Sequence, residues 1–147
     1  MQRTIPQFRY IFNFRDEMAT TRELCDAIDS FNTELYLKKI DPELVEPVGD
    51  IFLSNILIPI FSCSGHGKRR GHVLFRSCLN KADTINLIFD PLLNKFKNYS
   101  DISLEFFFWN NTAIGYQLNF GPAQLDLVLN YLIHILNNLK EKVELSL

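Results

Sequence analysis

The stretch from Pro122 to Lys142, PAQLDLVLNYLIHILNNLKEK, constrains the chain more than any other. On a helix of 3.6 residues per turn, Asp126, Asn130, His134, Asn137, Asn138 and Glu141 fall within roughly a third of the circumference. Leu125, Leu127, Val128, Leu129, Leu132, Ile133, Ile135, Leu136 and Leu139 occupy the rest. An apolar arc this wide needs cover on about two sides. Its own sheet supplies one, and another helix of the chain or a second copy supplies the other. Pro122 suits the first helical position, where a missing N–H costs nothing.

The elements before it read as strands and short helices. Phe8, Tyr10, Phe12 and Phe14 alternate with Arg9, Asn13 and Arg15, the pattern of a half-buried strand with one aromatic face. Thr20 to Glu23 offers a capping box, and Leu24, Ile28, Phe31 and Leu35 follow at helical spacing, so a first helix is expected at about 21–38. The string DPELVEPVGD, Asp41 to Asp50, reads as an acidic connector broken by Pro42 and Pro47. Ile51 to Cys63 reads as a buried strand in which Pro59 forces an edge or a bulge. Strands are expected again over His72 to Leu79 and Thr84 to Phe89. Asp90-Pro91 then opens a short helix at about 91–99. Ile102 to Trp109 and Ala113 to Phe120 flank a turn at Asn110-Asn111-Thr112 and form a hairpin. The expected fold is α+β: a single domain, 1–147, with an antiparallel or mixed sheet of about five or six strands. The three helices, about 21–38, 91–99 and 122–142, lie mainly on one side of it.

Hydrophobic residues make up 47% of the chain, enough to build a core and to exclude a disordered segment. No apolar run reaches the ~18 residues of a membrane span. The opening MQRTIPQFRYIFNFRDE lacks the apolar run and small-residue cleavage site of a signal peptide, so a cytoplasmic location is expected. In that setting Cys25, Cys63 and Cys78 are expected to be reduced.

Charge is unevenly placed. Residues 16–50 hold ten acids against Arg22, Lys38 and Lys39, a local net of −7, whereas residues 68–97 hold seven cations against Asp83 and Asp90, a local net of +5. Chains polarised in this way steer charged partners. The basic, glycine-rich string GHGKRRG, Gly65 to Gly71, is a candidate anion or nucleic-acid contact through Lys68, Arg69, Arg70, Arg76 and Lys81. It is not a phosphate-binding P-loop, because no Lys-Ser/Thr pair follows its glycines. Aromatic residues that would stack on bases are not interleaved with its cations. Cys63, His66, His72 and Cys78 have a spacing looser than that of structural zinc sites, and no metal is expected. No nucleophile–base constellation is visible, so no catalytic residue and no cofactor is expected.

Arg69-Arg70-Gly71, with Asn110, Ala113-Ile114 and Tyr116, resembles the acetyl-CoA loop and the Asn-x-x-Ala-Ile-x-x-Tyr segment of the GNAT acetyltransferases over about ten residues. The resemblance implies a CoA-dependent transferase. The chain departs from the family where strand-like His72 to Phe75 follows the loop in place of a helix, and Tyr116 comes one place early.

Three functions from different classes remain. The first is a small protein-binding inhibitor, in its concrete form an immunity protein against a bacterial, nuclease-type toxin. It would present Glu23, Asp26, Asp29, Asp41, Glu43, Glu46 and Asp50 to a basic cleft. The second is a nucleic-acid or nucleotide-binding module built on the loop 65–71. The third is a small transferase. The partner expected first is another protein, with a monomer or a homodimer through the C-terminal helix.

Overall fold

The computed structural model describes residues 16–65, 70–110 and 112–146. Their architecture is α+β, with one antiparallel sheet of four strands in the order β1-β2-β4-β3. The strands are β1 (Leu57–Cys63), β2 (Gly71–Ser77), β3 (Ser103–Trp109) and β4 (Ala113–Phe120). The helices are α1 (Thr21–Tyr36), α2 (Pro42–Leu53), the short α3 (Lys81–Thr84) and α4 (Asp90–Lys95), and the long α5 (Leu125–Ser146). A π-helical turn, Ile85–Phe89, joins α3 to α4. The expected strand from Phe8 to Arg15 lies outside the described residues.

Two expected elements are corrected, one of them a strand, and the described residues hold four strands where five or six were expected over the whole chain. The acidic "connector" 41–50 is α2. Pro42 occupies the first turn, and Leu44, Val48, Ile51 and Phe52 are buried at positions i, i+4, i+7 and i+8. Burial of that stripe overrides the hydrogen bond that Pro47 cannot donate. The β1 strand therefore starts at Leu57, not Ile51. The apolar run Thr84 to Phe89 is helical, not extended. Asn80 caps its start by accepting from the Asp83 amide at 2.8 Å. Pro91 has no N–H to give back and would crowd the Leu87 carbonyl in a tight helix. The chain widens just before it, with the Asp90 amide reaching back to Ile85 O. The other boundaries moved little. The first helix ends at Tyr36 because Lys38 adopts φ 58° and Lys39 N–H closes on Glu34 O at 2.9 Å, a Schellman-type stop.

One sheet face is the core. Val73 pairs with Leu118 and Phe75 with Tyr116, and Leu104 and Phe106 continue the same rows on β3. Phe89 from the π turn stacks on Tyr116 at 5.5 Å and tilts against Phe75 at 6.2 Å. The α5 helix buries Leu125, Val128, Leu129, Leu132, Ile135 and Leu136, each contributing about 1.5–3 kcal/mol. It meets α2, α4 and the π turn, so its broad apolar arc is covered on two flanks within the chain, while Leu127 stays 55% exposed. The α1 helix departs from one-sided packing. Its residue Glu23 meets Arg76, which leaves the opposite face of β2.

On that opposite face, Phe107 lies over its register partner Gly115, whose added Cβ would overlap the ring. Gly115→Ala is expected to cost about 1–3 kcal/mol through overpacking. Gly49→Ala, inside α2 with nothing within 4 Å of the new methyl, is expected to gain about 0.5–1 kcal/mol. Urea unfolding of the two variants checks both signs.

Candidate functional site

Arg76 is 2% exposed and organises one end of the sheet. Its Nε donates to Glu23 Oε1 at 2.9 Å and its Nη2 to Glu23 Oε2 at 3.3 Å, a fork that only a guanidinium can make. Its Nη1 donates to Ile114 O at 2.7 Å, to Asp16 O at 3.3 Å and to Glu17 O at 3.5 Å. The segment entering α1 is thereby wedged between the ends of β2 and β4. Asp16 forms a parallel bridge with Ala113, and Ala19 N–H donates to Ser77 O at 2.7 Å. Glu23 also completes the Thr20 capping box, accepting from the Thr20 amide at 2.7 Å. Burial pushes the Glu23 carboxyl up. The hydrogen bonds and charge of Arg76, with those from Thr20, more than offset this and hold it below its ordinary value.

Between α1 and β1 this clamp floors a groove of about 570 Å³, within the size range of ligand sites. One stripe of α1 lines it: Glu23, Asp26, Ala27, Ser30, Phe31 and Glu34. The elbow between α1 and α2 adds Lys39, Ile40 and Asp41, and α2 adds Val48 and Phe52. Every residue of β1 from Ile58 to Cys63 lines the other wall, and Trp109 and Asn110 close one end. Phe31 and Phe52 meet at 5.2 Å beneath the elbow. The walls are thus apolar and the rim carboxylate-rich.

The expected acidic residues divide between groove and outer surface. Glu23, Asp26 and Asp41 line the groove. Glu23 is committed to Arg76, and Asp26 lies 3.7 Å from the exposed Arg22. Asp41 accepts from the amide and the hydroxyl of Ser64, each at 2.9 Å, which ties the end of β1 to the start of α2. Asp29 is exposed on α1, and Glu43, Glu46 and Asp50 are exposed along α2 opposite its buried stripe. Glu34 was missed by sequence reading. The available signal was the i, i+3, i+7, i+11 spacing of Glu23, Asp26, Ser30 and Glu34.

Among the described residues, the expected cations Arg70, Arg76 and Lys81 do not assemble into one patch. Arg76 is the buried clamp, and Arg70 is exposed 3.8 Å from Asp101. Lys81 heads α3, with its amide on Glu17 Oε1 at 2.9 Å, and Lys68 and Arg69 lie outside the described residues. Cys63 and His72 are register partners, whereas Cys78 sits just past the far end of β2. His66 is outside the described residues. No group of three metal-binding side chains occurs among the described residues. Tyr116 is a core residue. Its hydroxyl faces Thr84 without completing a hydrogen bond, and burial pushes its pKa up to about 12. Burial and the Glu23 charge push the half-buried Cys78 thiol up as well. Among the described residues, no helix is long and apolar enough to cross a membrane. No protein-family model matches the chain, and neither a curated protein nor a solved structure matches it.

Arg76→Ala is expected to cost about 3–5 kcal/mol, because it strands carbonyls and a carboxylate that the guanidinium now satisfies. Glu23 is 30% exposed, so Glu23→Gln should cost clearly less. The folded Glu23 carboxyl titrates below its ordinary 4.5. Its stabilising contribution is therefore complete above that pH and lost as pH falls through the folded value. Acid titration of stability should show a drop in the native protein that Glu23→Gln lacks over that window.

Proposed function

We propose that the chain is a small binding protein that neutralises another protein through its acidic α1–α2 surface. In concrete form it is an immunity-type inhibitor of a nuclease toxin, acting in a cytoplasm where its three cysteines stay reduced. One observation carries the reading. Asp26, Glu34 and Asp41 rim an apolar groove, while Glu43, Glu46 and Asp50 continue the negative surface along the solvent face of the adjoining helix. Lys39 is the one described cation lining that groove besides Arg76, whose charge is taken up by Glu23. A nuclease cleft is built to attract phosphate, so a carboxylate surface of this kind competes for it and speeds association.

The test is association kinetics with a panel of basic nuclease domains. A 1:1 complex is expected, with an on-rate that falls steeply between about 50 and 500 mM salt. The double variant Glu43→Lys/Glu46→Lys should lower the on-rate at low salt by tenfold or more, in line with steering effects of about 10–10³. Unchanged kinetics in that variant would overturn the acidic-surface reading. Anisotropy titration with labelled DNA and RNA at about 50 mM salt separates the nucleic-acid function, since phosphate contacts are strong there. No binding is expected.

A further inference from the structure

The groove lies over the sheet face from which Arg76 projects and reaches as far as Trp109 on β3. Its long axis follows α1. Glu23, in the first turn of α1, meets Arg76, whose register partner is Ile58. Asp41, beyond the other end of α1, meets Ser64, just past β1. Helix and strand therefore run in the same direction along the groove. From Glu23 to Glu34 the helix advances about 16 Å, and Ile58 to Cys63 covers a similar length of extended chain. The cavity is an elongated slot.

Its chemistry is negative at two separated points with apolar surface between them. Phe31, Phe52 and Ile58 supply the apolar wall. Asp26 and Glu34 stand on one stripe of α1, about 12 Å apart along the helix axis. Neither is strongly held. Asp26 faces Arg22 at 3.7 Å in an exposed pair of little weight, and Glu34 has no ion pair among the described residues. With Glu23 and Arg76 cancelling, the carboxylates of Asp26, Glu34 and Asp41 against the one ammonium of Lys39 leave the lining two negative charges. Carboxylates this far apart cannot share a metal ion, whose oxygen ligands lie at about 2–2.6 Å. They match two ammonium groups joined by an aliphatic chain, whose methylenes gain by leaving water against the apolar wall. The aromatic residues Phe31, Phe61 and Trp109 in the lining suit the same ligand, since ring faces attract cations. We infer that the groove binds a linear aliphatic polyamine, an extended dication lying along α1 with its end ammonium groups at Asp26 and Glu34. This site is additional to the docking function proposed above and stands whether or not α2 steers a toxin.

Titration of the full chain, followed by calorimetry and by backbone amide resonances, tests the site with three probes. They are octamethylenediamine, the shorter tetramethylenediamine, and octamethylene glycol, which keeps the length without the charge. The long diamine should bind about tenfold tighter than the short one, the worth of one further charged hydrogen bond. The glycol should not bind. Resonances of residues 26–34 and 58–63 should shift with the long diamine. Asp26→Asn and Glu34→Gln should each weaken it about tenfold and abolish the preference for the longer chain. Glu43→Gln/Glu46→Gln, on the exposed side of α2, should leave its affinity unchanged. Equal affinity for the two diamines would overturn the two-point site, as would binding of the glycol. Resonance shifts confined to the solvent face of α2, or a loss in Glu43→Gln/Glu46→Gln equal to that in Asp26→Asn, would overturn it as well. So would the absence of any shift at millimolar octamethylenediamine.

Discussion

A guanidinium buried to 2% exposure has to find a partner for nearly every N–H it carries, and Arg76 finds them in three separate parts of the chain. Two nitrogens take the Glu23 carboxylate from α1, and the third takes carbonyls from β4 and from the segment that leads into α1. A charge withdrawn from water to this extent is tolerated only with such complete pairing. The position of α1 follows from that requirement. The helix has no fully buried residue of its own and rests on the sheet through a partly buried stripe. Fixed at its first turn by an ion pair and not by a deep apolar seam, it stands off from β1 and leaves the groove open along its length.

The same arrangement explains why the groove is both apolar and acidic. The α1 stripe that turns toward the sheet mixes Ala27 and Phe31 with Asp26, Ser30 and Glu34. A helix packed tightly against β1 would have had to bury those carboxylates without partners, at a cost of several kcal/mol per ion. Held at a distance, it keeps them hydrated at the rim while Phe31 still reaches Phe52.

Much of the fold was legible where local chemistry and burial agree. The capping box at Thr20 fixed the start of α1, the alternation around Asn110 gave the hairpin, and the one-sided polar stripe of α5 gave the long helix. Asn110 itself takes φ 55°, a left-handed turn position that asparagine tolerates. Legibility failed where tertiary burial overruled local preference. Pro42 and Pro47 read as breaks, yet one sits where a helix has no use for an N–H and the other is carried by the buried face of α2. The β-rich run before Pro91 read as a strand, yet it caps on Asn80 and widens into a π turn. The candidate site was visible only as composition. An excess of acids between residues 16 and 50 was plain, but Arg76 looked like a surface cation. Nothing local in the sequence marks a residue whose partners lie 38 to 60 positions away.

The Asp41–Ser64 contact has a mechanical corollary. One carboxylate oxygen receives both the amide and the hydroxyl of the first residue past β1, while its own backbone begins α2. Ser64, at the end of β1, and the bend between the first two helices are thus stapled together. Displacement of Ser64 pulls on the elbow, and spreading of the two helices pulls on Ser64, so disturbance at either location is felt at the other.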